Sequence, residues 1–358
     1  MLLEEEIAER VGAVRTESLD VSFGELASLH ESRELIIQPE YQRLFRWSTE
    51  QRSQLIESIL LQLPIPQIFV IENPDGVLEL IDGLQRISTV LQFMTPAAIE
   101  LEPLKLDGCK LITGLNEKTF ETLPLSLRLG LKRTPIRMVI IKKQSQAFLR
   151  YEMFKRLNTG GANLEPQEIR NCSVRMLGEP GINFYGFLVD LASSEEFAPF
   201  IEYIPEADRD KKAAEEFVLR YFAAKNSANS FKGSVRDWLD DYLETLLIGG
   251  TEFDYEAEKL SFKDVMRVAL EKLGDTAFLR YRDGRPLGSL PPAYFEAIAI
   301  GLSNSLATAT EKSPDSLRFA VTQLVESPEF RAVTGPGANS KDKLNRRIRL
   351  VSDAIETA

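Results

Sequence analysis

Strand-like runs are confined almost entirely to the stretch before Pro166, and from there to the end the strand signals nearly vanish in favour of helical periods. That asymmetry excludes one sheet running through the whole chain and predicts an α+β domain followed by an all-α domain. The 358 residues suit two domains at roughly 100–200 residues each. The reading divides the chain into an N-terminal helix or arm over 1–20, an α/β domain over 21–162 and a helical domain over 163–358.

In the first part, Ser48 with Gln51 forms a capping-box pattern, and Leu55, Ile56, Ile59, Leu60 and Leu63 recur at helical spacing until Pro64 and Pro66 stop them. Gln67–Ile71 and Val77–Ile81 read as strands joined by the turn Asn73-Pro-Asp-Gly76. A helix after Gly83 places Ile87, Val90, Leu91 and Met94 on one face. Asp107-Gly108 suggests a further hairpin, Ile136–Ile141 another strand, and Ser145 the cap of a helix running to Leu157. In the second part, helical periods run through 182–191, 213–224, 235–247, 255–273, 292–309, 317–325 and 344–355, with Tyr281–Pro292 as a loop.

The sharpest local feature is Leu80-Ile-Asp-Gly-Leu-Gln-Arg-Ile-Ser-Thr89. A strand ends at Asp82, Gly83 permits a tight turn, and a helix begins near Gln85. Unpartnered first-turn amides and the positive dipole end make an anion site there. Arg86 adds a forked donor, Ser88 and Thr89 add hydroxyls, and Asp82 can hold a metal ion or orient a water. The alternative is purely structural: Asp82 an N-cap, Gly83 a turn residue, Arg86 a solvated side chain. In Gln38–Trp47, Arg43 and Arg46 sit among Tyr41, Phe45 and Trp47, which suits phosphate and base contact or, equally, a packed loop. In Phe154–Arg170 the pair Gly160-Gly161 reads first as a helix stop, with Asn158 as the residue to test for ligand contact.

Charge and composition narrow the function. The net charge is −11, yet Arg128–Arg156 holds nine basic residues, Lys142 and Lys143 among them, against one acid. Such an island suits an anionic partner, and suits equally a surface neutralised by acidic neighbours. Arg346 and Arg347, in the C-terminal helix, could join a DNA-binding face, or lie on a solvated one. One histidine, His30, excludes multi-histidine metal cages, and Cys109 and Cys172 form no zinc spacing or disulfide framework. The cysteine usage and the acidic MLLEEEIAER start point to the reducing cytoplasm, and no run is long and apolar enough for a membrane helix.

Together, Pro39-x-Tyr-Gln42-Arg43 to Trp47, Leu55-Ile-x-Ser-Ile59 to Pro64-Ile-Pro66, Asp82-Gly-Leu-Gln-Arg86 with Thr89, and Asn158-Thr-Gly-Gly161 to Glu168-Ile-Arg170 resemble, in order, the N-terminal domain family of GmrSD-type restriction enzymes, marked by a DGQQR box. The resemblance covers Val21–Cys172. It implies a core similar to the ParB and sulfiredoxin folds, and NTP binding and hydrolysis in a bacterial defence system coupled to a nuclease. It assigns chemistry to Asp82, Gln85 and Arg86. Gln42, Arg43, Arg46, Gly83, Ser88, Thr89 and Asn158 are expected around the nucleotide, with Mg²⁺ at Asp82 because phosphate oxygens need a hard cation. NTP, duplex DNA and a separate nuclease subunit are the expected partners. The family's HNH-type nuclease is not expected here, with a single histidine. A non-catalytic DNA- or partner-binding module is the rival reading. Leu84, where the family has Gln, either removes a pocket group or faces the core at helical spacing from Ile87 and Leu91.

Overall fold

The computed structural model describes residues 3–4, 15–37, 47–159 and 165–358, with the side chains of 158 and 159 left out. The chain divides into two compact units, Met1–Ala162 and Asn163–Ala358.

The first unit is built on β1 (Thr16–Ser22), α1 (Phe23–Glu31), β2 (Leu35–Ile36), α2 (Thr49–Leu60), β3 (Ile68–Glu72), β4 (Leu78–Asp82), α3 (Leu84–Met94), α4 (Leu125–Arg133), β5 (Pro135–Ile141) and α5 (Ala147–Thr159). Its sheet has the order β1-β5-β3-β4-β2. The pairs β1–β5 and β3–β4 are antiparallel, while β5–β3 and β4–β2 are parallel. The α2 capping box forms as its sequence requires, with Ser48 N–H donating to Gln51 Oε1 at 2.9 Å and Gln51 N–H to Ser48 Oγ at 3.2 Å. The β3–β4 turn closes through Gly76, whose φ of 89° only glycine adopts cheaply. Ile56, Ile59, Leu84, Ile87, Val90 and Leu91 pack with Ile68, Val70, Met138 and Ile140 into one apolar core.

Three expectations are corrected here. β1 was not expected, because TESLDVS is polar and only Val21 is buried in this edge strand. Around Asp107 no strand forms; instead Leu106 exchanges backbone bonds with Glu117 and Lys118. The buried Glu57 of α2 accepts from the N–H groups of Leu111 at 2.8 Å and Ile112 at 2.6 Å, which pins the long segment between α3 and α4. Ser145 does not serve as the expected cap; its hydroxyl exchanges hydrogen bonds with the backbone of Arg15 at the start of β1.

The second unit is mostly helical: α6 (Pro166–Arg175), α7 (Glu179–Ala192), α8 (Ala213–Ser227), α9 (Val235–Leu247), α10 (Tyr255–Val268), α11 (Pro292–Asn304), α12 (Leu306–Glu311), α13 (Pro314–Glu326), α14 (Pro328–Thr334) and α15 (Lys341–Thr357), with single-turn pieces at Ala198–Ile201 and Glu206–Arg209. It is not all-α. Arg280–Arg282 (β6) and Arg285–Leu287 (β7) form a small hairpin in the expected loop. Asp283 and Gly284, with φ of 52° and 71°, make the left-handed two-residue turn that an Asp-Gly pair favours. The expected 292–309 helix breaks at Ser305, and 255–273 ends in a wider π turn over Ala269–Leu273. The interior is aromatic: Phe253 and Tyr255 meet Phe187, Phe253 meets Phe222, and Phe253 meets Tyr255 edge to face, at centroid distances of 5.0–5.7 Å.

Candidate functional site

Two features make glycine obligatory between β4 and α3. Gly83 has φ 102°, and a Cβ there would lie 2.5 Å from Ile68 Cγ2. α3 starts at Leu84 with no side-chain cap among the described residues, so no capping side chain offsets its positive dipole end. Asp82 is therefore not the N-cap; its Oδ2 accepts from Arg86 at 2.7 Å. The same Arg86 nitrogen donates to Gln67 O at 3.0 Å. Arg86 Nε is buried with no acceptor, so the guanidinium holds donors in reserve. The Asp82 and Arg86 side chains are 26% and 18% exposed, so solvent reaches the pair and an incoming anion can compete for Arg86.

Gln85 Oε1 accepts from Trp47 N–H at 3.2 Å. This bond fastens the end of the Gln38–Trp47 segment to the head of α3, although the two are far apart in sequence. The structure thus brings together Asp82, Gly83, Gln85, Arg86 and the backbone of Trp47, whose ring packs against the core. Gln42, Arg43 and Arg46 lie outside the described residues. Asn158 falls in the last turn of α5, and only its backbone is described.

Two expected ligand contacts are corrected. Ser88 and Thr89 are completely buried. Thr89 Oγ donates to Gln85 O at 2.6 Å, a bond within its own helix, and Ser88 Oγ sits in the interior with no partner. Residues four and five positions into α3 are carried away from its head by the helical rise. Leu84 is also buried in the apolar cluster, so of the two roles open to it the core role is the one observed.

The expected DNA-binding side chains separate. Lys142 bonds Glu72 at 3.1 Å and Glu17 at 3.3 Å, and Lys143 Nζ donates to Pro74 O at 3.3 Å. Arg137 pairs with Asp20 and Arg128 with Glu121, so much of the basic island is neutralised by acids from elsewhere in the unit. Lys142 holds Glu72 below the usual carboxylate range through its hydrogen bond. Arg346 is exposed and pairs with Glu329 at 2.7 Å. Arg347 is buried, ion-paired with Glu296 and bonded to Val333 O and Ala338 O, so it cannot belong to a surface face. Helical spacing carried the signal: Arg347 stands three residues after Leu344 and four before Val351, on the buried face of α15, and Arg346 does not.

His30 Nδ1 contacts Leu35 O at 3.1 Å, linking α1 to β2. Cys109 and Cys172 are buried and unpaired with each other, and burial pushes the Cys109 thiol up, the direction of an inert side chain. Among the described residues no helix is long and apolar enough to cross a membrane.

Residues 24–175 match the GmrSD restriction endonuclease N-terminal domain. The match runs through the division at 162 and ends with α6, whose Glu168 and Arg170 belong to the last of the ordered boxes. No curated protein and no solved structure matches the chain. Carried by four ordered boxes and by this matched span, residues 24–175 belong to the family of GmrSD restriction endonuclease N-terminal domains.

Proposed function

We propose that the first unit binds a nucleoside triphosphate at the head of α3 and hydrolyses it, as the nucleotide-dependent regulatory part of a bacterial restriction system directed at phage or modified DNA. The observation that carries this reading is the uncapped start of α3 beside Arg86, whose buried Nε–H has no acceptor. Backbone amides at a helix head and a guanidinium in its first turn are what phosphate oxygens require. The family membership supports the restriction setting. A ParB- or sulfiredoxin-like ancestry of the sheet belongs to the same proposal.

In this reading the first-turn amides of α3 and Arg86 hold the phosphate oxygens. Gln85 holds the backbone of Trp47 at the head of α3. Asp82 orients the attacking water. No group of three or more acidic, histidine or cysteine side chains among the described residues could hold a metal ion unaided. One carboxylate with an uncommitted oxygen, Asp82 Oδ1, fits a Mg²⁺ ion that arrives on the phosphates and neutralises their charge. In this reading DNA cleavage falls to a separate nuclease; the one histidine, tied to Leu35, builds no HNH-type centre.

The rival, binding without turnover, draws on the Asp82–Arg86 ion pair, which occupies both proposed actors. Steady-state phosphate release from each NTP with Mg²⁺ separates the readings. The proposal expects release that is lost in Asp82→Ala while nucleotide binding persists. Binding with no release by the native chain would leave the rival standing.

A further inference from the structure

The second unit holds a cavity of about 520 Å³ that the reading above leaves unused. Its volume falls within the roughly 300–1,000 Å³ of small-molecule sites. The heads of α6, α8 and α11 converge on it through Glu165-Pro166, Ala213 and Pro291-Pro292. α8 and α11 have no side-chain cap at these ends. Ile204, Phe217, Leu290 and Pro291 supply apolar lining.

Arg220 lines the same cavity and is the only arginine of a continuous ion-pair chain to do so. That chain runs Asp240–Arg170–Glu216–Arg220–Glu296–Arg347. Burial opposes the charge on Arg220, but Glu296 and Glu216 outweigh it and hold its pKa above the ordinary value. Arg220 spends three N–H groups, two on Glu216 Oε1 and one on Glu296 Oε1. A guanidinium has five, so two donors remain. At the rim, Arg280 lies over the Tyr294 ring at 5.9 Å and pairs with no acid among the described residues. Of the lining acids, Glu165 is paired with Lys211 and Glu216 with Arg220, which leaves Asp208 as the opposing charge.

From this we infer that the second unit carries its own site for a small organic anion, with one phosphate or carboxylate group on a flat apolar body, separate from the head of α3. The anionic group meets the spare donors of Arg220, the amides at the head of α8 and Arg280; the body lies on Phe217, Leu290 and Pro291.

Calorimetric titration of the full chain with phenyl phosphate, benzoate and inorganic phosphate tests this, with no NTP or Mg²⁺ present. Phenyl phosphate or benzoate should bind at least about tenfold more tightly than inorganic phosphate, because only they bring the apolar body. Arg280→Glu, at an exposed position, should weaken that binding about tenfold or more, and Asp208→Asn should tighten it a few-fold. Arg86→Ala should leave it unchanged. No binding of either aromatic anion at millimolar concentration, or binding indifferent to Arg280→Glu, overturns the site. Loss in Arg86→Ala places the anion at α3 and overturns it too. The two aromatic probes show whether phosphate or carboxylate is the preferred group.

Discussion

A glutamine at position 84 would bring a carboxamide into the apolar cluster that Leu84 shares with Ile87 and Leu91. Burying an unpaired polar group costs about 1–3 kcal/mol. Leu84→Gln should therefore lower the melting temperature and leave phosphate release no faster; a faster, equally stable variant would return position 84 to the phosphate side. Gly83→Ala should be more damaging than a loop glycine change elsewhere. It combines a left-handed φ with a Cβ 2.5 Å from Ile68. A loss of about 1–3 kcal/mol on thermal unfolding is expected, with weaker nucleotide binding because the head of α3 shifts. At this scale the Asp82–Arg86 cluster was legible, because strand, glycine and helix follow one another within a few residues. The burial of Ser88 and Thr89 was not. Their hydroxyls look the same in sequence whether they face a ligand or the core, and the phase of the helix settles which.

Glu57 shows what element-scale packing adds. In sequence it is one polar residue between the apolar positions Ile56 and Ile59; in the fold its carboxylate anchors Leu111 and Ile112. Glu57→Ala should cost about 1–3 kcal/mol through the backbone donors left without their acceptor. Amide exchange should accelerate at 110–112 and stay slow in β3. Uniform protection across 110–112 in the variant would mean the anchor lies elsewhere. Helices were legible here because caps, proline stops and apolar spacing agreed, as with Ser48 and Gln51. The edge strand β1 escaped because its partner, β5, lies more than a hundred residues away and exposes most of β1. The β6–β7 hairpin did carry a local signal, Asp283-Gly284, masked by arginines on both sides.

On the scale of the whole molecule, the charges are distributed in two ways: surface pairs that neutralise the basic island, and a buried ion-pair chain in the second unit. Arg347→Ala breaks a buried pair and should cost about 3–5 kcal/mol, whereas Arg346→Ala removes an exposed pair and should cost under about 1 kcal/mol. Urea unfolding followed at Trp238, which is buried in the second unit, reads both in a Trp47→Phe background. Equal effects would contradict the assignment of Arg347 to the interior. Burial raises the Glu216 pKa, but Arg220 and Arg170 outweigh it and hold the carboxyl below its ordinary range. A lowered folded-state pKa stabilises above the unfolded value and stops doing so as pH falls through the folded one. The second unit should accordingly lose stability on acidification below about pH 4, and Glu216→Gln should flatten that part of the curve.

Nucleotide phosphates at the head of α3 are tested most directly by calorimetric titration of the full chain and of Arg86→Ala with each NTP and Mg²⁺. Native binding weakened by about 1.5–3 kcal/mol in the variant, at unchanged melting temperature, is the predicted result. Equal affinity of the two proteins for every nucleotide, or no binding by the native chain, would contradict it.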